Sequence, residues 1–152
     1  GIYRRGRSTY GMMNSVMRGN FLRGIQIKPK PWGREIWFAW TPKYAGKILE
    51  IKKGHRFSLQ YHEKKLETQL VIEGKVKFTH GKNPKKLSSL ILKAGDKIDI
   101  LPGMMHRAEA LSKAVLFEVS SPELDDVVKL ADDYGRTGKG NNEKMDRRLA
   151  QK

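Results

Sequence analysis

The chain contains no cysteine, and its first 30 residues contain no acid. Without cysteine there is no disulfide framework and no zinc–thiolate site. No uninterrupted apolar run approaches the roughly 18 residues of a transmembrane helix. Nor do residues 1–21 hold an apolar stretch of signal-peptide length. A soluble, cytoplasmic protein is therefore expected. Hydrophobic residues make up only 38% and charged residues 31% of the 152, a balance that places part of the chain outside any core. That length suits one domain with some tail. The net charge of +15 is unevenly spread: residues 1–30 carry +7, residues 31–135 carry +4, and residues 136–152 carry +4. Basic arms of this kind attract polyanions through counterion release, and equally serve as solvated tails.

Short strands separated by turn signals run from Trp32 to about Ser120. The pattern predicts strands at 35–41, 46–52, 57–62, 68–73, 75–80, 89–93, 97–101 and 114–120. Glu73-Gly74-Lys75 reads as a tight hairpin and Gly81-Lys82-Asn83-Pro84 as an exposed loop. No stretch of this region has sustained helical periodicity. Many short strands at close spacing indicate a β-sandwich or barrel. Upstream, Met12, Met13, Val16 and Met17 suit a short helical turn amid helix-breaking glycines. Downstream, residues 123–134 suit one helix or an extended cover, and the last dozen residues read as a polar tail.

Two segments concentrate the chemistry. In the first, Gln60 and His62 are two apart on a predicted strand and share a face, Glu63-Lys64-Lys65 forms a charged turn, and Glu67 opens the next strand. An antiparallel neighbour would set Glu67 beside His62. In the second, Gly95 to His106, a strand is followed by a turn at Pro102-Gly103, and His106 starts another strand. Closure of the sheet would let His106 face the first cluster. Two imidazoles, a carboxylate and an amide oxygen form a donor set for a divalent metal, with zinc preferred and manganese or ferrous iron as alternatives. His55 and His80, each next to a glycine, read as surface residues; Trp32, Trp37, Phe38 and Trp40 read as packing aromatics.

The spacing of Gly54, Gln60, His62, Glu67 and Gly74 matches the first cupin motif, with Gln60 in place of its first histidine. Gly95, Gly103 and His106 match the second, although proline stands at 102 rather than 101 and Ala110 replaces the closing asparagine. The chain thus resembles the cupins: an all-β, double-stranded β-helix or jelly-roll-like barrel, here with a basic N-terminal arm (1–29), a cupin domain (30–136) and a polar basic tail (137–152). More narrowly, Pro31-Trp32-Gly33, the SLQYH segment, Glu67 and the run from Glu118 through Asp125-Asp126 to Tyr134-Gly135-Arg136 resemble the cupin domain of type II mannose-6-phosphate isomerases. Nothing in this chain resembles the guanylyltransferase domain that often precedes it in that family.

The resemblance implies aldose–ketose isomerisation of a phosphosugar with a divalent metal held by Gln60, His62, Glu67 and His106. It also implies catalytic roles for Lys65 and Lys129, each where the family commonly has arginine, and for Arg136. A phosphosugar substrate and a homodimer are the expected partners, with no membrane. The basic arms suggest a competing role, a non-catalytic cupin that docks on nucleic acid or a larger particle. A cupin dioxygenase, which would require iron, is disfavoured by Gln60.

Overall fold

A computed structural model describes residues 24–152. Two six-stranded antiparallel sheets face each other. The first contains, in spatial order, β1 (Gln26–Lys30), β2 (Gly33–Trp40), β3 (Ala45–Ile51), β10 (Ala114–Ser120), β5 (Glu67–Glu73) and β8 (Lys97–Ile100). The second contains β12 (Gly138–Lys139), β11 (Val128–Ala131), β4 (Leu59–Tyr61), β9 (Met105–Ala110), β6 (Lys75–Gly81) and β7 (Ser88–Lys93). One helix, α1 (Glu143–Ala150), follows, with the Asn142 side chain accepting from the Met145 N–H as its cap. None of the described helices is long and apolar enough to cross a membrane.

Strand alternation explains the core. Inward-facing Leu49, Ile51, Val71, Val76, Phe78, Ala108, Ala114 and Leu116 are buried together with Trp32 and Phe57, while their neighbours along each strand point outward. Trp37 is buried in a second, smaller cluster with Ala45 and Leu124, and Trp40 packs against it. Phe38 is exposed rather than buried, lying against the Phe117 ring at 6.1 Å.

Several expectations need correction. Glu73-Gly74-Lys75 is not a hairpin, because β5 and β6 lie in different sheets. Gly74, at φ +84°, carries the chain from one sheet to the other, and a Cβ there would strike the Lys113 carbonyl. The positive φ was legible, but such a turn serves a crossing as well as a hairpin. β6 pairs instead with β7, across the 82–87 loop. The boundary expected at residue 29 falls inside β1, which pairs along its whole length with β2. The expected tail holds β12 and α1; the helix lies against β1 and is tied to it by Lys28–Glu143 at 2.6 Å and Lys30–Asp146 at 2.8 Å. Residues 123–134 adopt the extended alternative, with β11 covering β4. The helical turn expected at Met12–Met17 lies outside the described residues.

Candidate metal centre

His62, Glu67 and His106 offer one ligand atom each within 4.8 Å of one another. Their relative exposures are 2%, 2% and 0%. The route by which they meet differs from the sequence expectation. Glu67 is not on a strand neighbouring β4. It projects from the opposite sheet and meets His62 across the interior, whereas His106 belongs to the strand beside β4, where it is paired with Gln60.

Backbone carbonyls set the imidazole tautomers. His62 Nδ1 lies 2.6 Å from the Asp126 carbonyl oxygen, and His106 Nδ1 lies 3.0 Å from that of Met104. A carbonyl only accepts, so each Nδ1 carries a proton, and Nε2 is the nitrogen of each ring that faces the interior and is available to a metal. Both Nε2 atoms stand 3.2 Å from Glu67 Oε1, and His106 Nε2 has no hydrogen bond of acceptable geometry. Three buried Lewis-basic atoms aimed at one point fit a divalent cation, and the carbonyls behind the rings are the supporting contacts such a site uses. Burial works to raise the Glu67 carboxyl, but the charge of Lys65 holds it well below the usual carboxylate range. It is therefore an anion, as a ligand must be.

Gln60 lines the same cavity as His62. Its Oε1 accepts a hydrogen bond from Ser58 Oγ at 2.6 Å, which orients the amide and leaves a second lone pair on that oxygen. The loop that presents His62 is clamped by one residue. The Asp126 carboxylate accepts from the N–H groups of Glu63, Lys64 and Lys65 at 3.0, 2.7 and 2.9 Å, and its backbone carbonyl accepts a hydrogen bond from His62 Nδ1.

Beyond the ligands the cavity is lined by buried charge. Lys65 is no exposed turn residue: its Nζ sits 3.0 Å from Glu67 Oε2 and 3.4 Å from Glu118 Oε2, because the Asp126 clamp tucks the turn inward. Lys129 is buried and donates to the Gly140 carbonyl at 3.2 Å; burial, then Arg136, lowers its ammonium below the usual lysine range. Arg136 is held by Asp132 at 2.7 Å and Asp146 at 3.2 Å. Lys65, Lys129 and Arg136 thus line one cavity with His62 and Gln60.

The sequence reading missed Lys30, Glu35, Lys47 and Glu118 in this cavity, and Asp146 behind it. Lys47 bridges Glu35 at 2.6 Å and Glu118 at 3.5 Å. The Glu118 carboxyl is pushed up by burial and by Glu67, against the pull of Lys47 and Lys65. A signal was available, since Glu35, Lys47 and Glu118 stand at positions whose parity along their strands is inward. His55 and His80 are half-buried rather than surface residues; His55 Nδ1 lies 2.6 Å from the Tyr134 hydroxyl, and the His80 ring stacks on Phe78. The cavity has a volume of about 40 Å³, enough for an ion and a water or two.

Comparison with other proteins places this geometry. The family described as mannose-6-phosphate isomerase C-terminal matches residues 23–132. The chain is 30% identical over 113 residues to the xanthan biosynthesis protein XanB of Xanthomonas campestris, covering 71% of this chain and 23% of that protein. It is 33% identical over 112 residues to the mannose-1-phosphate guanylyltransferase of Escherichia coli, covering 70% and 22%. It therefore spans less than a quarter of the length of these relatives. Among solved structures, KdgF from Halomonas superposes with a TM-score of 0.58 at 20% identity, covering 70% of this chain and 92% of that one. Bacillus subtilis oxalate decarboxylase superposes with 0.61 at 16% identity, covering 70% and 30%. These likenesses establish the double-stranded β-helix fold and nothing finer. With the family match extending over most of the described strands and ending just before Arg136, the chain belongs to the mannose-6-phosphate isomerase C-terminal family of cupins.

Proposed function

We propose that this domain is a divalent-metal-dependent aldose–ketose isomerase acting on a phosphorylated hexose of the mannose 6-phosphate class. The observation that carries the reading is the inward aim of both His Nε2 atoms at Glu67, next to a buried file of cations. Relatives named for xanthan biosynthesis and for guanylyl transfer to mannose 1-phosphate support a phosphorylated sugar as the ligand.

His62, Glu67 and His106, with Gln60 beside them, would hold the metal, and their mixed nitrogen and oxygen donors suit zinc first, then manganese or ferrous iron. When bound, such an ion polarises the sugar oxygens at C1 and C2. The remaining work falls to this chain's own side chains. Isomerisation moves a proton between C1 and C2 and another between the two oxygens, and no redox partner is required. Glu118, with its carboxyl raised in the cavity, is suited to take and return the carbon-bound proton. Lys65, poised between Glu67 and Glu118, holds both carboxylates in place and supplies a positive charge to the developing oxyanion. Lys129 meets the phosphate as a point charge, and Arg136, its fork held by Asp132, adds positive charge beside it. A hexose phosphate exceeds the present cavity, so its admission requires lining side chains to shift.

The test is direct observation of mannose 6-phosphate by NMR with metal-loaded protein. Fructose 6-phosphate should accumulate, and should not do so in a Glu118→Gln variant or after chelation. Absence of interconversion of any phosphohexose overturns the reading. The +7 charge of residues 1–30 favours a second reading, a metal-holding cupin scaffold that docks on a polyanion. An inactive protein whose polyanion binding falls steeply with salt would establish it.

A further inference from the structure

The family match ends at residue 132, and the chain runs on through Arg136 and β12 to α1. A helix added to a barrel ordinarily packs by burying an apolar stripe. The one buried residue of α1 is instead a carboxylate, Asp146, 1% exposed. A carboxylate leaves water only where cations offset the cost, and Asp146 has two. Its Oδ2 accepts from Lys30 Nζ at 2.8 Å and its Oδ1 from Arg136 Nη1 at 3.2 Å. Both cations are buried and both line the cavity of the metal centre. They come from distant parts of the chain, Lys30 from β1 and Arg136 from beyond β11, and Asp146 joins them. What else holds them differs. Arg136 is fixed through Nε and Nη2 by Asp132, at 3.1 and 2.7 Å, and lies 5.6 Å from the centre of the Tyr134 ring. Lys30 reaches Glu35 at 3.5 Å, but Glu35 is already engaged by Lys47 at 2.6 Å and by Trp37 Nε1 at 3.1 Å.

We propose, on the reading of this cavity as a phosphosugar site, that Asp146 is a positioning residue for the substrate's phosphate: with one cation on each oxygen, it keeps Lys30 beside Arg136 where the phosphate binds. Lys30 and α1 thereby become parts of the site. Two effects of opposite sign decide what Asp146 does to affinity. A carboxylate near a phosphate repels it. Lys30 and Arg136 also repel each other, and the carboxylate between them is what holds two like charges together in a buried space. Asp146 stands behind the two cations and not on the cavity wall, so a phosphate meets the cations first. Without Asp146, Lys30 turns to Glu35 and away from Arg136. A long, flexible side chain must then be recaptured by the ligand, and that ordering is lost from the affinity. Positioning therefore outweighs repulsion. Linkage is reciprocal: if a docked Asp146 favours the phosphate, the phosphate favours a docked Asp146.

Calorimetric titration of the full chain with inorganic phosphate, beside steady-state assays of the metal-loaded protein with mannose 6-phosphate, tests the inference. Asp146→Asn should weaken phosphate binding and raise KM about fivefold, the scale of immobilising one long side chain, with kcat within about twofold. Asp146→Glu keeps the charge and should recover most of the affinity. Glu143→Gln cuts the other tie between the same helix and β1, Lys28–Glu143 at 2.6 Å, and should change neither quantity, which separates Asp146 from helix docking in general. Hydrogen exchange on the wild-type chain needs no variant, so misfolding of Asp146→Asn cannot hide the result: saturating phosphate should slow exchange of the amides of residues 146–150. Wild-type chain that binds no phosphate overturns the inference. So does unchanged or tighter binding in Asp146→Asn, an equal loss in Glu143→Gln, Asp146→Glu binding no better than Asp146→Asn, or α1 amides that exchange no slower with phosphate. The isomerase reading fails separately: a chain that does not convert mannose 6-phosphate, yet binds phosphate in an Asp146-dependent way, supports the inference and overturns only that reading.

Discussion

The interior of this barrel has two halves built on the same strands. In one, Leu49, Leu116 and Val71 lie side by side across β3, β10 and β5; one inward step along, Lys47, Glu118 and Gln69 occupy the equivalent row. All six are buried. The apolar row is stabilised by removal of hydrocarbon from water, at about 25 cal/mol per Å². The charged row gains nothing from burial and remains folded because each group has a partner: Lys47 with Glu35 and Glu118, Gln69 with Glu118, Lys65 with Glu67. A buried pair of this kind is often no more stabilising than an apolar replacement. The contrast teaches that the fold is carried by one half and that burial of hydrocarbon does not account for the other.

Neighbouring residues on β10 give the sharpest way to break that contrast. Leu116→Ala should lower unfolding free energy by about 2–5 kcal/mol and leave turnover per folded molecule within a few-fold. Glu118→Gln, two residues on, should reduce turnover by roughly 10²-fold or more, the scale of a lost general base. Denaturant unfolding and steady-state assays separate the two, and an exchange of these phenotypes would show that the division is misplaced.

Next in size is the clamp. Asp126→Ala frees three N–H groups of the loop bearing His62 and should weaken metal affinity about 10–100-fold, the usual cost of losing a supporting contact. Competition with a chelating dye measures it, and unchanged affinity would mean that the loop holds its shape unaided.

Acid distinguishes the halves again. Burial works to raise the carboxyls of Glu35, Asp126 and Asp132, yet all three lie below their ordinary range: Glu35 through Lys47 and Lys30, Asp126 through the N–H groups of residues 63–65, and Asp132 through Arg136. A carboxyl depressed in the folded state contributes stability that is complete above its unfolded value, about 4, and is lost as pH falls through the folded value. Unfolding free energy should therefore hold from neutrality to about pH 5 and decline below about pH 4. A rise in stability down to pH 3 would contradict these ion pairs.

The smallest effect concerns Lys129. Replacement by alanine should raise KM for the phosphosugar about tenfold with little change in kcat, and arginine should restore affinity. A fall in kcat alone would assign Lys129 to the chemistry rather than to the phosphate.

What could be read from the sequence follows the same division. Eight strands were legible because Leu49, Val71, Leu116 and their like recur with period two, and the His62, Glu67 and His106 positions were legible through motif spacing. The charged half was passed over: Lys47 and Glu118 share the inward parity of Leu49 and Leu116, but a charged side chain at such a position is ordinarily taken as solvated. Partner strands are unlabelled in one dimension, which is why Gly74 reads as a hairpin and Glu67 as a neighbour of His62. From the Asp125-Asp126 to Arg136 run the resemblance takes Lys129 and Arg136 as catalytic. In the structure much of it fastens the site, with Asp126 on the ligand loop, Asp132 on Arg136 and Asp133 on Arg56. Residues 143–150 lack an apolar stripe, and their helix is fixed by Asp146 and Glu143 rather than by hydrophobic burial.

The central claim is that the charged half is built around a divalent cation, and titration with cobalt, followed by its visible absorption, tests it most directly. The account predicts one equivalent bound with a spectrum of nitrogen and oxygen donors, displaced by zinc, and lost in His106→Ala while the protein remains folded. Failure of the wild-type chain to bind cobalt, or an unaltered spectrum in His106→Ala, would contradict it.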